Sequence, residues 1–212
     1  MRERMSSPVP VIGLYSPYPQ AGKSTVADML VEDFGFRRVK MAGALKAMLR
    51  ALLFHQGVDM DRIHDMIEGG EKECVTSHLG FRSPRYAMQT LGTEWGRSAM
   101  GEDFWASLAR RKIDSIVAAG KPVVVDDMRF ENEAHMIREF GGAALVRITR
   151  PSAAPKKVLF GGHKSEGGLE GISFDLEITN SFPSCEVFCG EAVGALKDHL
   201  LSKGFHLVKK GE

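Results

Sequence analysis

The four residues Gly22-Lys23-Ser24-Thr25 carry the clearest chemical signature in this sequence. They follow a short apolar run, Val9 to Tyr15, and precede a stretch whose apolar residues recur at helical spacing. Between a strand and a helix, a Gly-Lys-Ser/Thr turn is suited to phosphate. Backbone N–H groups and the positive end of the helix both point at the anion. Lys23 is then expected to reach the β- and γ-phosphates of ATP, and the Ser24 hydroxyl to ligate Mg2+. Gly22 and Thr25 complete the candidate nucleotide-binding set. The full motif has a glycine five positions before Gly22, where this chain has Pro17. Proline cannot take positive φ, so the loop entry is expected to differ, with Gly13 or Ser16 shaping it instead.

A phosphate loop with magnesium needs a carboxylate nearby. Asp126 and Asp127 end the apolar run Val123 to Val125, and open parallel sheets bind ligands at the carboxyl ends of their strands. Either aspartate could orient Mg2+ through its water shell; the plainer alternative is a carboxylate that caps the following turn. Arg129 comes shortly after, and Arg150 ends a further apolar run, so both are candidates for phosphate, which suits the planar guanidinium fork. Arg85, Gln89, Glu94 and Arg97 recur at intervals of four, five and three. That spacing fits a solvated helix face or a substrate-binding one. Trp95 and Trp105 are expected in the core or a pocket wall.

The elements that must hold these residues can be read from periodicity. Val26, Met29, Leu30 and Phe34 share one helical face, which Gly35 stops. Phe36 to Met41 reads as a strand. Ala44 to Gln56 reads as a helix with Leu45, Met48, Leu49 and Leu52 on one stripe, and Asp59 to Glu68 as another helix. Gly69 to Arg82 is polar and expected to be mobile. Ser83-Pro84 has the form of a helix cap and first turn, opening a helix towards Arg97. Helices are also expected over Glu102 to Ala119, Glu131 to Phe140 and Ser184 to Lys203, the last with Phe188, Val193, Leu196 and Leu200 inward. Strands are expected over Val123 to Val125, Ala143 to Thr149 and Leu176 to Thr179. Pro151 to Gly171 is glycine-rich without periodicity, and loops of that length are uncommon unless functional. With Lys156, Lys157 and Lys164 in it, and His163-Lys164-Ser165-Glu166 near its middle, it reads as a lid that excludes water from transferring phosphates. Alternating strands and helices indicate a three-layer α/β fold with a five-stranded, mainly parallel sheet and helices on both faces.

Composition is consistent with this and excludes other classes. The chain has 212 residues, 43% of them apolar and 26% charged, with 28 Lys and Arg against 27 Asp and Glu. That suits a single domain with a sizeable core. A net charge of +1 argues against nucleic acid or a membrane surface as the main partner. No apolar run approaches the ~18 residues of a membrane span. The three cysteines are too few for a disulfide framework, so reduced thiols and a cytoplasmic setting are expected.

Several pieces in one order add a resemblance. They are Gly22 through Asp28, Leu45-Lys46, Arg85 through Gln89 to Leu91-Gly92-Thr93-Glu94, Asp127-Met128-Arg129-Phe130-Glu131-Asn132-Glu133, His163 to Glu166, and Asn180. Together they resemble the bacteriophage deoxynucleoside monophosphate kinase family, over roughly residues 10–200. The resemblance implies a P-loop kinase fold with a helical acceptor-binding insert near 57–101 and a lid near 151–171. It implies transfer of the ATP γ-phosphoryl to a deoxynucleoside monophosphate with Mg2+, in the host cytoplasm if the gene is a phage's, by a monomer or homodimer. Lys23, Ser24 and Thr25 would hold ATP and Mg2+. Asp127 is the aspartate that matches, and it joins Ser24 as the metal candidate. Arg85, Gln89, Glu94 and Arg97 would lie near the acceptor, and Lys46, Arg129 and Arg150 near the acceptor and transferring phosphates. Two rivals remain open: a kinase of similar architecture such as one for dephospho-coenzyme A, and a nucleotide-binding switch without transfer. A nucleic-acid end kinase or packaging ATPase fits the balanced charge poorly.

Overall fold

The computed structural model describes residues 9–151, 169, 171–181 and 184–211. Two compact units emerge. One takes the described residues up to Lys40 and from Arg110 onward; the other is Met41–Ala109.

The first unit is built on a parallel sheet of β1 (Val11–Tyr15), β2 (Arg37–Val39), β3 (Val123–Val125), β4 (Ala143–Thr149) and β5 (Leu176–Thr179). Their order across the sheet is β2-β3-β1-β4-β5, and every pairing is parallel. Strands covered on both faces must be apolar throughout, and all five residues of β1 and all three of β3 are buried. Helix α1 (Lys23–Phe34) and helix α7 (Cys185–Ser202) pack with each other. Their buried residues share a core with Ile12, Leu14, Val124 and Val146. Phe188, Val193, Leu196 and Leu200 all face inward as expected. Helix α6 (Glu131–Arg138) packs on β4 and β1. Beside it, Gly13 admits Met128, whose Sδ lies 2.7 Å from where a Cβ would stand. The topology puts β3 and β4 on either side of β1. Whatever follows these three strands is therefore gathered at one sheet edge, at the point where the chain's strand order reverses.

The second unit has its own small core of Leu49, Leu53, Val58, Ile63, Met66 and Ile67. It contains α2 (Gly43–His55), α3 (Met60–Ile67) and α4 (Pro84–Thr90), which continues as a π-helical segment, Leu91–Met100. Helix α5 (Phe104–Ala118) spans the residue boundary between the units.

Several expectations need correction here. The buried stripe of α2 is Leu45, Leu49 and Leu53, each four residues from the next, while Met48 and Leu52 are 42% and 49% exposed. A mixed three-and-four spacing fits a broad apolar face, and only one edge of it is covered. Gly69 to Arg82 is folded rather than loose. It forms two 3-10 turns, Gly70–Glu73 and Ser77–Leu79, and a bridge between Thr76 and Arg82, with Thr76 buried. Strand β2 is shorter than Phe36 to Met41, although both of those residues are buried. The expected helix through Arg97 changes its winding at Leu91. Trp105 is buried, but Trp95 is exposed.

The π segment is held by that buried indole. Trp105 Nε1 donates to the Gly92 carbonyl at 2.8 Å, and its ring packs in turn on Trp95 and Phe104. A Cβ at Gly96 would stand 2.0 Å from Trp105 Nε1. The ring cannot yield without losing its hydrogen bond, so Gly96→Ala should lower stability by about 1–3 kcal/mol, the usual cost of overpacking. Urea denaturation checks this: an unchanged midpoint would show that the indole is free to move.

Candidate active site

The loop between β1 and α1 begins with Ser16. Its hydroxyl accepts from the Tyr18 N–H at 3.2 Å and donates to the Tyr18 carbonyl at 2.8 Å. Ser16, rather than Gly13, therefore shapes the entry where the motif glycine is replaced by Pro17. Further on, Gln20 has φ +57° and Gly22 φ +107°. Glycine is required at 22 on two counts, since a Cβ there would also meet Phe188 Cε1 at 2.5 Å.

Side chains from other strands of the sheet take carbonyls of the loop and of the first turn of α1. Arg150 Nη1, just past β4, donates to Gln20 O at 3.3 Å. Asn180 Nδ2, just past β5, donates to Ala21 O at 3.0 Å. Arg38 Nη2, on β2, donates to Ser24 O at 3.0 Å. Because a trans peptide points its N–H opposite its C=O, fixing these carbonyls turns the N–H groups of Ala21, Gly22 and Thr25 the other way. Oriented N–H groups at a helix start make an anion site. Arg150 thus contacts the loop itself.

Lys23 is the first residue of α1. Burial pushes its pKa below 10.5, with the Arg129 charge acting in the same direction; Asp126 and Asp127 oppose both. Lys23, Asp126, Asp127 and Arg129 are therefore brought together. Asp126 is buried and Asp127 only partly so. Arg38 Nε stands 3.6 Å from Asp126 Oδ2. Arg129 is exposed, but its backbone is fixed: the buried Glu133 carboxylate accepts from the Arg129 N–H at 2.7 Å and the Phe130 N–H at 3.1 Å. Arg38 and Glu133 were not among the expected site residues. Glu133 carried a signal, since a Glu three residues past a helix cap is a capping position. Arg38 carried none, its partners being distant in sequence.

The remaining candidates belong to the second unit. Lys46 Nζ contacts both Glu68 oxygens, at 2.9 and 2.7 Å. Arg85 pairs with Glu73, and Arg97 Nη1 donates to the Glu102 carbonyl at 3.1 Å. Gln89 is partly buried and Glu94 exposed. Of the expected lid, Lys156, Lys157 and His163 to Glu166 lie outside the described residues. At its far end Leu169 is buried, its N–H donating to the Tyr15 hydroxyl at 3.3 Å.

Hard oxygen donors suit magnesium, and the first unit offers the Ser24 hydroxyl and the strand-end carboxylates. Among the described residues no cluster of three or more His, Cys, Asp or Glu could hold a metal by itself. Mg2+ characteristically binds through one or two carboxylates together with substrate phosphates, and one buried oxygen, Asp126 Oδ1, has no hydrogen-bond partner. The residues present thus fit a nucleotide-borne ion.

The sequence model of the deoxynucleotide monophosphate kinase family matches residues 59–182. The chain belongs to this family. Membership makes it an ATP-using phosphotransferase acting on small molecules. A protein of Acanthamoeba polyphaga mimivirus, provisionally named as a deoxynucleotide monophosphate kinase, is 28% identical over 171 residues, which cover 76% of this chain and 83% of that one. The deoxynucleoside-5'-monophosphate kinase of Escherichia phage T5 is 31% identical over 108 residues, 48% of this chain and 41% of the phage protein. Among solved structures, an APS kinase of Mycobacterium tuberculosis covers 89% of this chain and 97% of its own at 13% identity and a TM-score of 0.39. A sugar kinase of Janibacter sp. covers 94% of this chain and 100% of its own, at 15% identity and a TM-score of 0.43. The fold class rests instead on the strand order and loop geometry described above. No helix among the described residues is long and apolar enough to cross a membrane.

Lys23 gives this kinase-family site a pH signature. Only the charged amine attracts phosphate, so ATP affinity should fall as pH rises through the depressed Lys23 pKa, before the usual 10.5. Bound phosphates favour the ammonium form, so binding in that window should take up protons. Calorimetry in buffers of different ionisation enthalpy reads this directly. Absence of proton uptake in the wild type, or its persistence in Lys23→Ala, would remove Lys23 from the phosphate site.

Proposed function

We propose that the protein transfers the γ-phosphoryl of ATP to a deoxynucleoside monophosphate, yielding ADP and the deoxynucleoside diphosphate. The observation that carries this reading is a phosphate loop with its carbonyls fixed outward, in a chain whose family match lies elsewhere. That match begins at residue 59, so loop and match support the reading independently. Neither the dephospho-coenzyme A rival nor the switch rival accounts for both.

In this reading the loop N–H groups and Lys23 hold the β- and γ-phosphates of ATP. Ser24 and Asp127 would hold Mg2+, which would supply charge neutralisation on the phosphate oxygens. Arg85, Gln89, Glu94 and Arg97 bind the acceptor nucleotide, and Lys46 its phosphate. Glu68 and Glu73, which pair with Lys46 and Arg85 in the free protein, give way to the acceptor's anion. An oxygen of the acceptor phosphate forms the new bond to γ-phosphorus, and the bond to the β,γ-bridging oxygen breaks, leaving ADP. The acceptor oxygen is already anionic, so no general base is needed. Rate then depends on position and on charge neutralisation, for which Arg129 and Arg150 provide cations. Exclusion of water from the site would direct the γ-phosphoryl to the acceptor.

The direct test is ADP release from Mg-ATP with deoxynucleoside monophosphates, ribonucleotides and dephospho-coenzyme A as acceptors. Turnover with at least one deoxynucleotide and none with dephospho-coenzyme A is expected, and acceptor-independent behaviour would leave only the switch reading. Lys23→Ala should cost at least about a hundredfold in kcat, the scale of losing one transition-state donor. Arg85→Ala should raise KM for the acceptor and leave KM for ATP unchanged. Equal acceptor kinetics would return that arginine to its surface pair with Glu73.

A further inference from the structure

Among the described residues of the first unit, a polar cluster beside the phosphate loop takes no part in the mechanism above. Arg38 sits in the middle of β2, its Cα opposite Val124 of β3. Its guanidinium reaches three groups on two segments at once. Nη2 donates to the Ser24 carbonyl at 3.0 Å and stands 2.8 Å from Asp28 Oδ1. Nε faces Asp126 Oδ2 at 3.6 Å. Ser24 and Asp28 are four apart on α1 and so share a face. The Asp126 side chain is only 2% exposed. Its Oδ1 and Arg38 Nε are both buried without a hydrogen-bond partner. A buried carboxylate with an unsatisfied oxygen is costly. Such an atom in a folded protein needs an explanation. Here it lies close enough to Lys23 for its charge to act on the ammonium.

We propose that Arg38 is a positioning residue for the metal–nucleotide complex: it fixes the Ser24 end of the phosphate loop and the Asp126 carboxylate as one rigid piece, leaving Asp126 Oδ1 to serve the water shell of the nucleotide's magnesium. The inference rests on the kinase reading. It assigns the metal-side carboxylate role to Asp126 in addition to Asp127, and it gives Asp28, which otherwise has no role, the task of holding the Nη2 end of the arginine. The guanidinium is suited to this because its planar fork serves several oxygens in fixed directions, whereas an ammonium serves as a point charge. Partners that orient a ligand in this way act through it rather than on substrate, and their loss costs about 10–100-fold in metal affinity or activity.

The experiment compares wild type, Arg38→Gln and Arg38→Lys. Binding of ATP is measured with and without Mg2+, and bound Mn2+ is counted by water-proton relaxation in the presence of ATP. Melting temperature and steady-state kinetics are recorded alongside. Arg38→Gln is expected to lose roughly 10–100-fold in affinity for the metal–ATP complex, to bind metal-free ATP much less altered, and to keep the wild-type KM for the deoxynucleotide. Arg38→Lys retains a charge for Asp126 but cannot reach all three partners. It is expected to fall between the other two at a wild-type melting temperature. A lowered melting temperature with metal–ATP affinity unchanged would overturn the proposal in favour of a merely structural arginine. If Arg38→Gln does not fold, Arg38→Lys decides alone, and unchanged Mn2+ binding in it has the same meaning. Wild-type protein that binds metal–ATP without deoxynucleotide-dependent ADP release would instead defeat the kinase reading, while the Arg38 comparison would still be read from binding.

Discussion

The peptide plane is the constraint on which the rest of the site depends. A loop can offer N–H groups to phosphate only if the carbonyls of the same peptides have partners elsewhere, because the two ends of each unit point in opposite directions. In this chain those partners are side chains from three different strands. Arg38 comes from β2, Arg150 from the end of β4 and Asn180 from the end of β5. All three can reach because the loop follows β1, which lies at the centre of a sheet ordered β2-β3-β1-β4-β5. A parallel sheet aligns all its strand ends on one edge, so the fold places anchors around the loop before any ligand is considered. This also explains why the missing motif glycine is tolerated. With the middle of the loop held by outside donors, the entry at Pro17 needs only the local Ser16–Tyr18 bonds and one residue, Gln20, in the left-handed region.

Electrostatics builds on that frame. Burial disfavours the Lys23 ammonium, and Arg129 adds repulsion, while Asp126 and Asp127 supply the opposing attraction. The repulsion between the two cations is offset only in part by the aspartates, since the net effect still lowers the Lys23 pKa. The same groups therefore leave the Lys23 ammonium disfavoured in the free protein, which is the condition under which an added anion would be most effective. Glu133 matters because it pins the Arg129 and Phe130 N–H groups. It fixes the backbone from which the long, exposed Arg129 side chain extends.

What could be read from sequence follows from which interactions are local. Gly22-Lys23-Ser24-Thr25, the apolar runs of β1, β3 and β4, and the inward face of α7 are all set by neighbours in the chain, and they could be identified without a structure. The strand order could not, because several parallel arrangements bury the same apolar runs equally well. Arg38 escaped notice for the same reason: its partners lie 10, 14 and 88 positions away and only sheet pairing unites them. On α2, periodicity shows which residues could be covered and not which edge of the face is covered. Gly69 to Arg82 looked mobile because it is polar, yet its order comes from backbone turns and the buried Thr76, which hydrophobic patterning does not register.

The uneven spacing of Arg85, Gln89, Glu94 and Arg97 has a physical explanation in the winding of their helix. Residues four apart share a face in an α-helix, as Arg85 and Gln89 do in α4. Residues five apart do not. From Leu91 the helix is π-wound, with hydrogen bonds that span five residues, and this turns Glu94 back towards the face that Gln89 occupies. A π segment is less well bonded than an α-helix and persists only where something holds it. Here the Trp105 indole does so, bonded to the Gly92 carbonyl and packed against the bare Cα of Gly96. Two glycines and a tryptophan with no chemistry of their own thus set the register of the polar residues between and before them. The Leu91-Gly92-Thr93-Glu94 piece therefore carries the winding change as well as the polar Glu94.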